Sequence, residues 1–129
     1  MTNNQIKTAF YSLLNSAALG YEISWPGVNF TPPATGSWLE VMFFPNESLD
    51  NGLAYDSTTI SRGIFQVSCV TRPGAGTVAL GAIAEQIRTT FAKGTTITGS
   101  VRVIREPYDI ELEAFEDRIK IVVSVEYSG

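Results

Sequence analysis

Residues 61–87 read SRGIFQVSCVTRPGAGTVALGAIAEQI, an extended run, a glycine-rich turn and an apolar helical series. Phosphate sites are built in this order, because a helix N-terminus presents free amides and a partial positive charge. A P-loop also needs a lysine after its second glycine and then a hydroxyl for magnesium. Here Gly76 is followed by Thr77, Val78 and Ala79, with no lysine. GAGTVA formally matches the alanine-ended form of the dinucleotide fingerprint. That motif belongs in a parallel βαβ unit with an acid about 20 residues on. Residues 95–98 read TTIT and include no acid. A tight turn that starts a helix close to a sheet accounts for the glycines without a ligand.

The other reactive groups are similarly short of partners. The chain has no histidine, so the commonest general base and the commonest zinc ligand are both missing. Cys69 is the single cysteine. Nothing obvious activates its thiolate, and on the apolar face of a strand it reads as a small core hydrophobe. The acids Asp109, Glu111, Glu113, Glu116 and Asp117 are dense. Glycoside hydrolysis needs two carboxyls facing across a cleft, whereas Glu111 and Glu113 share one side of a strand. The spacing fits no calcium loop, so a solvated or partner-facing edge is the better reading. Trp25, Phe30, Trp38, Phe43, Phe44 and Tyr55 could stack bases, but single-strand binding also wants interleaved cations. Residues 21–57 contain no Lys or Arg, which favours core and protein contact.

Composition narrows the classes further. A chain of 129 residues suits one domain spanning 1–129, large enough to fold without disulfide or metal. The net charge is −4 and the nine Lys and Arg are scattered, so the basic footprint of a specific nucleic-acid binder is missing. No apolar run approaches the roughly 20 residues a membrane span requires. The start, MTNNQIKTAF, lacks the charged-then-apolar order of a signal peptide. A lone cysteine fits a reducing cytoplasm.

Apolar periodicity supplies the elements. Ile6, Phe10, Leu13, Leu14 and Ala17 recur at helical spacing behind the capping residues Thr2, Asn3 and Asn4, predicting a helix over 4–19 with Gly20 as its stop. Residues 21–25 alternate as a short strand, and Pro26-Gly27 turns the chain. Residues 38–44 form a strand with two apolar faces. Leu39, Val41 and Phe43 point one way, and Trp38, Glu40, Met42 and Phe44 the other. Only Glu40 wets that second face, which therefore meets something. Residues 46–57 form a polar loop, long for a hairpin. Residues 58–71 are extended, with Phe65, Val67 and Cys69 on one face. Thr77 caps a second helix with the stripe Leu80, Ile83, Ala84, Ile87 and Phe91, ending at Lys93 and Gly94. One or two strands lie in 95–104, with a kink at Gly99. Further strands span 110–115 and 118–127. The order α-β-β-β-α-β-β-β predicts an α+β two-layer sandwich, a mainly antiparallel sheet of about five to six strands with two helices on one face.

The segments YEISWPGVNFTPP, SWLEVMFFP and RGIFQVSCVTRPGAG, followed by a helix ending in FAKG, together resemble the tail terminator proteins of long-tailed bacteriophages and prophages. The matching features are Trp25-Pro26, Trp38 opening a strand, and Gly63-Ile64-Phe65-Gln66-Val67 leading into residues 73–76. Gly27 departs from an expected asparagine, a change confined to turn chemistry. The resemblance implies a structural virion protein with no enzymatic activity and no cofactor. Made in the host cytoplasm, six copies would form a ring capping the head-proximal end of the tail tube. The cap would stop tube growth and present the head–tail joining surface. The implied partners are further copies of the chain, assembling at the latest on the tube, the tail tube protein and a head-completion protein.

On the residues themselves, Trp38, Met42 and Phe44 are candidates for an apolar interface anchor. Asp50, Tyr55 and Asp56 of the long loop are contact candidates, and Arg62 and Arg72 are candidates to pair with a neighbour's acids. Alternatives are another ring-forming virion part, such as a head-completion or tail-tube protein, a small-ligand domain built on the glycine turn, and an enzyme using the acidic cluster.

Overall fold

The computed structural model describes residues 2–17, 20–33, 36–46, 49–50, 59–73, 77–112 and 118–129. Helix α1 (Asn3–Ser16) opens on a capping box. The Gln5 amide donates to Thr2 Oγ1 at 3.1 Å, and the Thr2 amide donates to Gln5 Oε1 at 2.9 Å. Two N–H groups that the first turn would leave bare are thereby satisfied. Its buried stripe is Ile6, Phe10 and Leu14. Strand β1 (Glu22–Ser24) stops before Pro26, and Gly27 takes a positive φ of 76° in the turn that follows. β2 (Trp38–Pro45) comes next.

The predicted loop over 46–57 is partly strand. β3 (Leu49–Asp50) pairs antiparallel with β4 (Thr59–Ile60), and residues 51–58 lie outside the described set. β5 (Arg62–Thr71) follows as a separate strand, so the expected run over 58–71 is divided at Ser61. The turn glycines Gly74 and Gly76 lie outside the described residues. Helix α2 (Val78–Thr90) begins after Thr77, which stands at the N-cap but makes no side-chain capping bond, contrary to the sequence expectation. The chain ends in β6 (Thr96–Thr98), β7 (Val101–Val103), β8 (Tyr108–Glu111) and β9 (Ile119–Ser128).

The main sheet has seven strands in the order β1-β2-β5-β9-β7-β6, with β8 also paired to β9. Every described pairing in it is antiparallel except β1 with β2. The architecture is the expected α+β sandwich. The extra strand arises because residues 95–104 break into β6 and β7 at Gly99.

One face of the sheet is dry. Leu39 and Val41 of β2, Phe65, Val67 and Cys69 of β5, and Val123, Val125 and Tyr127 of β9 are buried in one cluster with the apolar stripes of both helices. Phe10 is its hub, with ring centroids 4.6 Å from Phe65, 5.3 Å from Tyr127 and 5.8 Å from Phe91. Such aromatic pairs add about 0.5–1.5 kcal/mol each beyond their burial. Cys69 belongs to this cluster, as its strand position predicts. Burial pushes its thiol up to about 12, with the Asp109 carboxylate adding to the effect, so the thiolate nucleophile is suppressed near neutral pH.

Candidate interaction surface

The register of the ladders defines the opposite, outer face. Side chains directly opposite one another in an antiparallel pair share a face. Successive rows across β2, β5 and β9 are therefore Trp38–Val70–Lys120, Glu40–Ser68–Val122, Met42–Gln66–Ser124 and Phe44–Ile64–Glu126. β8 extends two of them, placing Ile110 beside Val122 and Tyr108 beside Ser124.

The Trp38 end of this face is closed by the chain's own side chains. Trp38 is 0% exposed. The Arg72 and Arg118 guanidiniums lie 5.4 and 5.5 Å from its ring, within cation–π range. The Trp38 indole N–H donates to Glu40 Oε2 at 3.2 Å. Lys120 Nζ donates to Glu40 Oε1 at 3.0 Å, and Arg118 Nη1 is 3.7 Å from Glu40 Oε2. Burial alone pushes the Glu40 carboxyl up. The hydrogen bonds from Lys120 and Trp38, with the charges of Lys120 and Arg118, outweigh burial and hold it below its ordinary value.

The other end is open. Met42 is 51% and Phe44 42% exposed. Gln66 donates to Ser124 Oγ at 3.2 Å, leaving the centre of the sheet polar but internally paired. Beyond it, Ile110 is 52% and Leu112 47% exposed. Two apolar margins thus flank a polar strip, which is the composition of a protein-contact surface more than of a ligand cleft.

The residues singled out in the sequence fall into separate groups. Met42 and Phe44 are exposed together on the outer face. Trp38 is not available as one, because it is sealed within this chain. Arg72 donates from Nε and Nη2 to the Pro33 carbonyl at 3.3 and 3.1 Å while stacking on Trp38, so it is engaged internally. Arg62 is exposed at the start of β5. Asp50 lies in β3, and Tyr55 and Asp56 lie outside the described residues. Of the suspected aromatic set, Trp25 packs on Tyr11 at 4.8 Å and Phe43 on Tyr127 at 5.7 Å, so both belong to the core side. Ile110 and Leu112 were masked in the sequence by the acids between and around them. Their alternation with Asp109 and Glu111 was the available signal. Asp109 lies on the helix side of the sheet, 3.9 Å from Arg88 of α2. Among the described residues no group of three or more His, Cys, Asp or Glu side chains is placed to hold a metal.

Fold and surface together define a two-layer α+β domain whose outer sheet face carries exposed apolar side chains at two margins, Met42 with Phe44 and Ile110 with Leu112. The chain belongs to the phage tail terminator family: the model for the family described as phage tail terminator protein matches residues 5–127. It is accordingly a structural component of a phage tail. A solved structure is similar over 99% of this chain and 95% of its own, at 24% identity and a TM-score of 0.78, which shows the shared fold. No curated protein sequence matches the chain significantly.

Proposed function

We propose that the protein acts without catalysis, as a ring of six copies that caps the head-proximal end of the tail tube. The cap ends tube polymerisation and presents the surface on which the head docks. The observation that carries this reading is the family match over nearly the whole chain. The outer sheet face supports it physically. A ring closes through a heterologous interface, in which one patch meets a different patch on the next copy. Each stable contact of that kind buries roughly 800 Å² per partner. Met42 and Phe44 supply the apolar anchor on one side of the contact.

Light scattering over a concentration series, with negative-stain imaging of the same samples, tests it. Closed six-fold rings that do not elongate, alone or on added tail tubes, are expected. Open-ended tubes would make the protein a tube subunit instead. A monomer that forms no ring with tubes present would remove the capping role. Phe44→Asp is expected to abolish ring formation while the monomer stays folded.

A further inference from the structure

We propose that the groove along the open edge of β2 receives an extended, acid-bearing segment of another protein, which pairs with the Phe43 backbone as an added strand. The Asn46 amide donates to the Arg62 carbonyl at 2.9 Å, so the even-numbered residues of β2 bond toward β5. Antiparallel alternation turns the amides and carbonyls of Leu39, Val41 and Phe43 the other way. β1 covers that edge only opposite residues 38–40, because the chain turns off at Pro26 and Gly27. Past that point no described residue hydrogen-bonds with the Phe43 backbone, whose ladder partner Phe65 stands opposite it as a non-hydrogen-bonded pair.

A cavity of about 390 Å³ opens beside this edge, lined by Lys7, Tyr11, Pro26, Phe43, Pro45 and two asparagines of the first turn of α1. A second, of about 440 Å³, shares Tyr11 and Pro26 and continues along α1 to Val28, itself 61% exposed. Among the described residues Lys7 is the one charged residue lining either cavity, and none of them forms an ion pair with it. Strand addition draws affinity from main-chain bonds and specificity from pockets for alternate side chains. Alternate residues of a strand are about 6.7 Å apart. Lys7 and Tyr11, four residues apart on α1, are separated by about 6 Å of helical rise. An apolar side chain over Tyr11, Pro26 and Phe43 therefore places a carboxylate two positions away beside Lys7. The occupant is thus a peptide segment with an Asp or Glu two residues from an apolar anchor. This proposal does not rest on the ring, since the groove lies at the sheet edge and not on the face of Met42 and Phe44.

The test is selection of a random seven-residue peptide library against the full chain, followed by synthesis of the enriched sequences. The selected peptides are expected to carry an acid two positions from an apolar residue and to slow hydrogen exchange at the Phe43 amide. Lys7→Glu, at a half-buried position whose side chain bonds to no described residue, should keep its thermal unfolding profile and weaken binding about 2–5-fold. Repeating the selection on that variant should replace the acid by a lysine. No enrichment, or binding that leaves Phe43 exchange unchanged and ignores Lys7→Glu, would overturn the proposal. So would protection of Phe43 that rises with protein concentration alone, which would assign the edge to a second copy.

Discussion

Trp38 and Phe44 stand six residues apart on the same strand and the same face, yet Trp38 is sealed and Phe44 is 42% exposed. Helices bury neither, since α1 and α2 cover the opposite face. The difference lies in the neighbours. Trp38 lies under the Arg72 and Arg118 guanidiniums, and Glu40, which accepts from its indole N–H, pairs with Lys120 and Arg118. Phe44 sits among Ile64 and Glu126, and Glu126 is drawn away to Arg105 at 3.1 Å. Charged side chains can therefore close an apolar site as effectively as a helix does, because long cationic side chains bury their stems while keeping their heads solvated.

Removing the sealed ring gives the largest expected effect. Trp38→Ala should cost about 3–5 kcal/mol in urea unfolding, as for other buried aromatics. A loss under about 1 kcal/mol would mean that the arginine cover contributes no real burial. Gly63→Ala should come next. A Cβ there would lie 2.6 Å from the Phe44 carbonyl oxygen and 2.6 Å from Tyr127 Oη, and overpacking of this kind costs about 1–3 kcal/mol. Adding Tyr127→Phe should rescue only part of that loss, because the Phe44 carbonyl is backbone and cannot move aside.

How far this contrast was legible in the sequence depends on the range of the contacts. The stripes of Ile6, Phe10 and Leu14, of Leu80 to Ile87, and of the alternating β9 residues are local periodicities, and they predicted both helices and the dry face. The exposure of Met42 and Phe44 followed from alternation as well. The burial of Trp38 did not. It depends on Arg72 and Arg118, 34 and 80 residues away along the chain, reaching the same ring. The β2 edge groove was equally hidden, because it depends on strand order and on how soon β1 ends. Short strands such as β3, β4 and β6 hold too few residues to display a period.

Tyr127 sharpens the comparison from the core side. Its hydroxyl is buried without a hydrogen-bond partner among the described residues, and burial pushes its ionisation up to about 12. An unpaired buried hydroxyl carries an uncompensated desolvation cost. Tyr127→Phe is therefore expected to raise stability by about 1 kcal/mol in the same urea assay. A loss of similar size would reveal a partner for the hydroxyl.

The smallest effect belongs to Glu40, the carboxylate that ties the charged cover together. Its folded value is depressed, so its contribution is complete above the ordinary glutamate range and disappears as pH falls through the folded value. The expected stability loss on acidification from Glu40 alone is under about 1 kcal/mol, because the pair is partly solvent-screened. Glu40→Gln should flatten that part of the acid limb while leaving stability near neutral pH lower than in the parent chain. The discriminating measurement is urea stability of both proteins across the acid range. Parallel curves would show that the Lys120 and Arg118 contacts do not stabilise the charged form. Converging curves would show that the cover over Trp38 is held in part by charge. Trp38 would then become more accessible to a fluorescence quencher in acid, while Tyr127 and the helix-covered face remained closed.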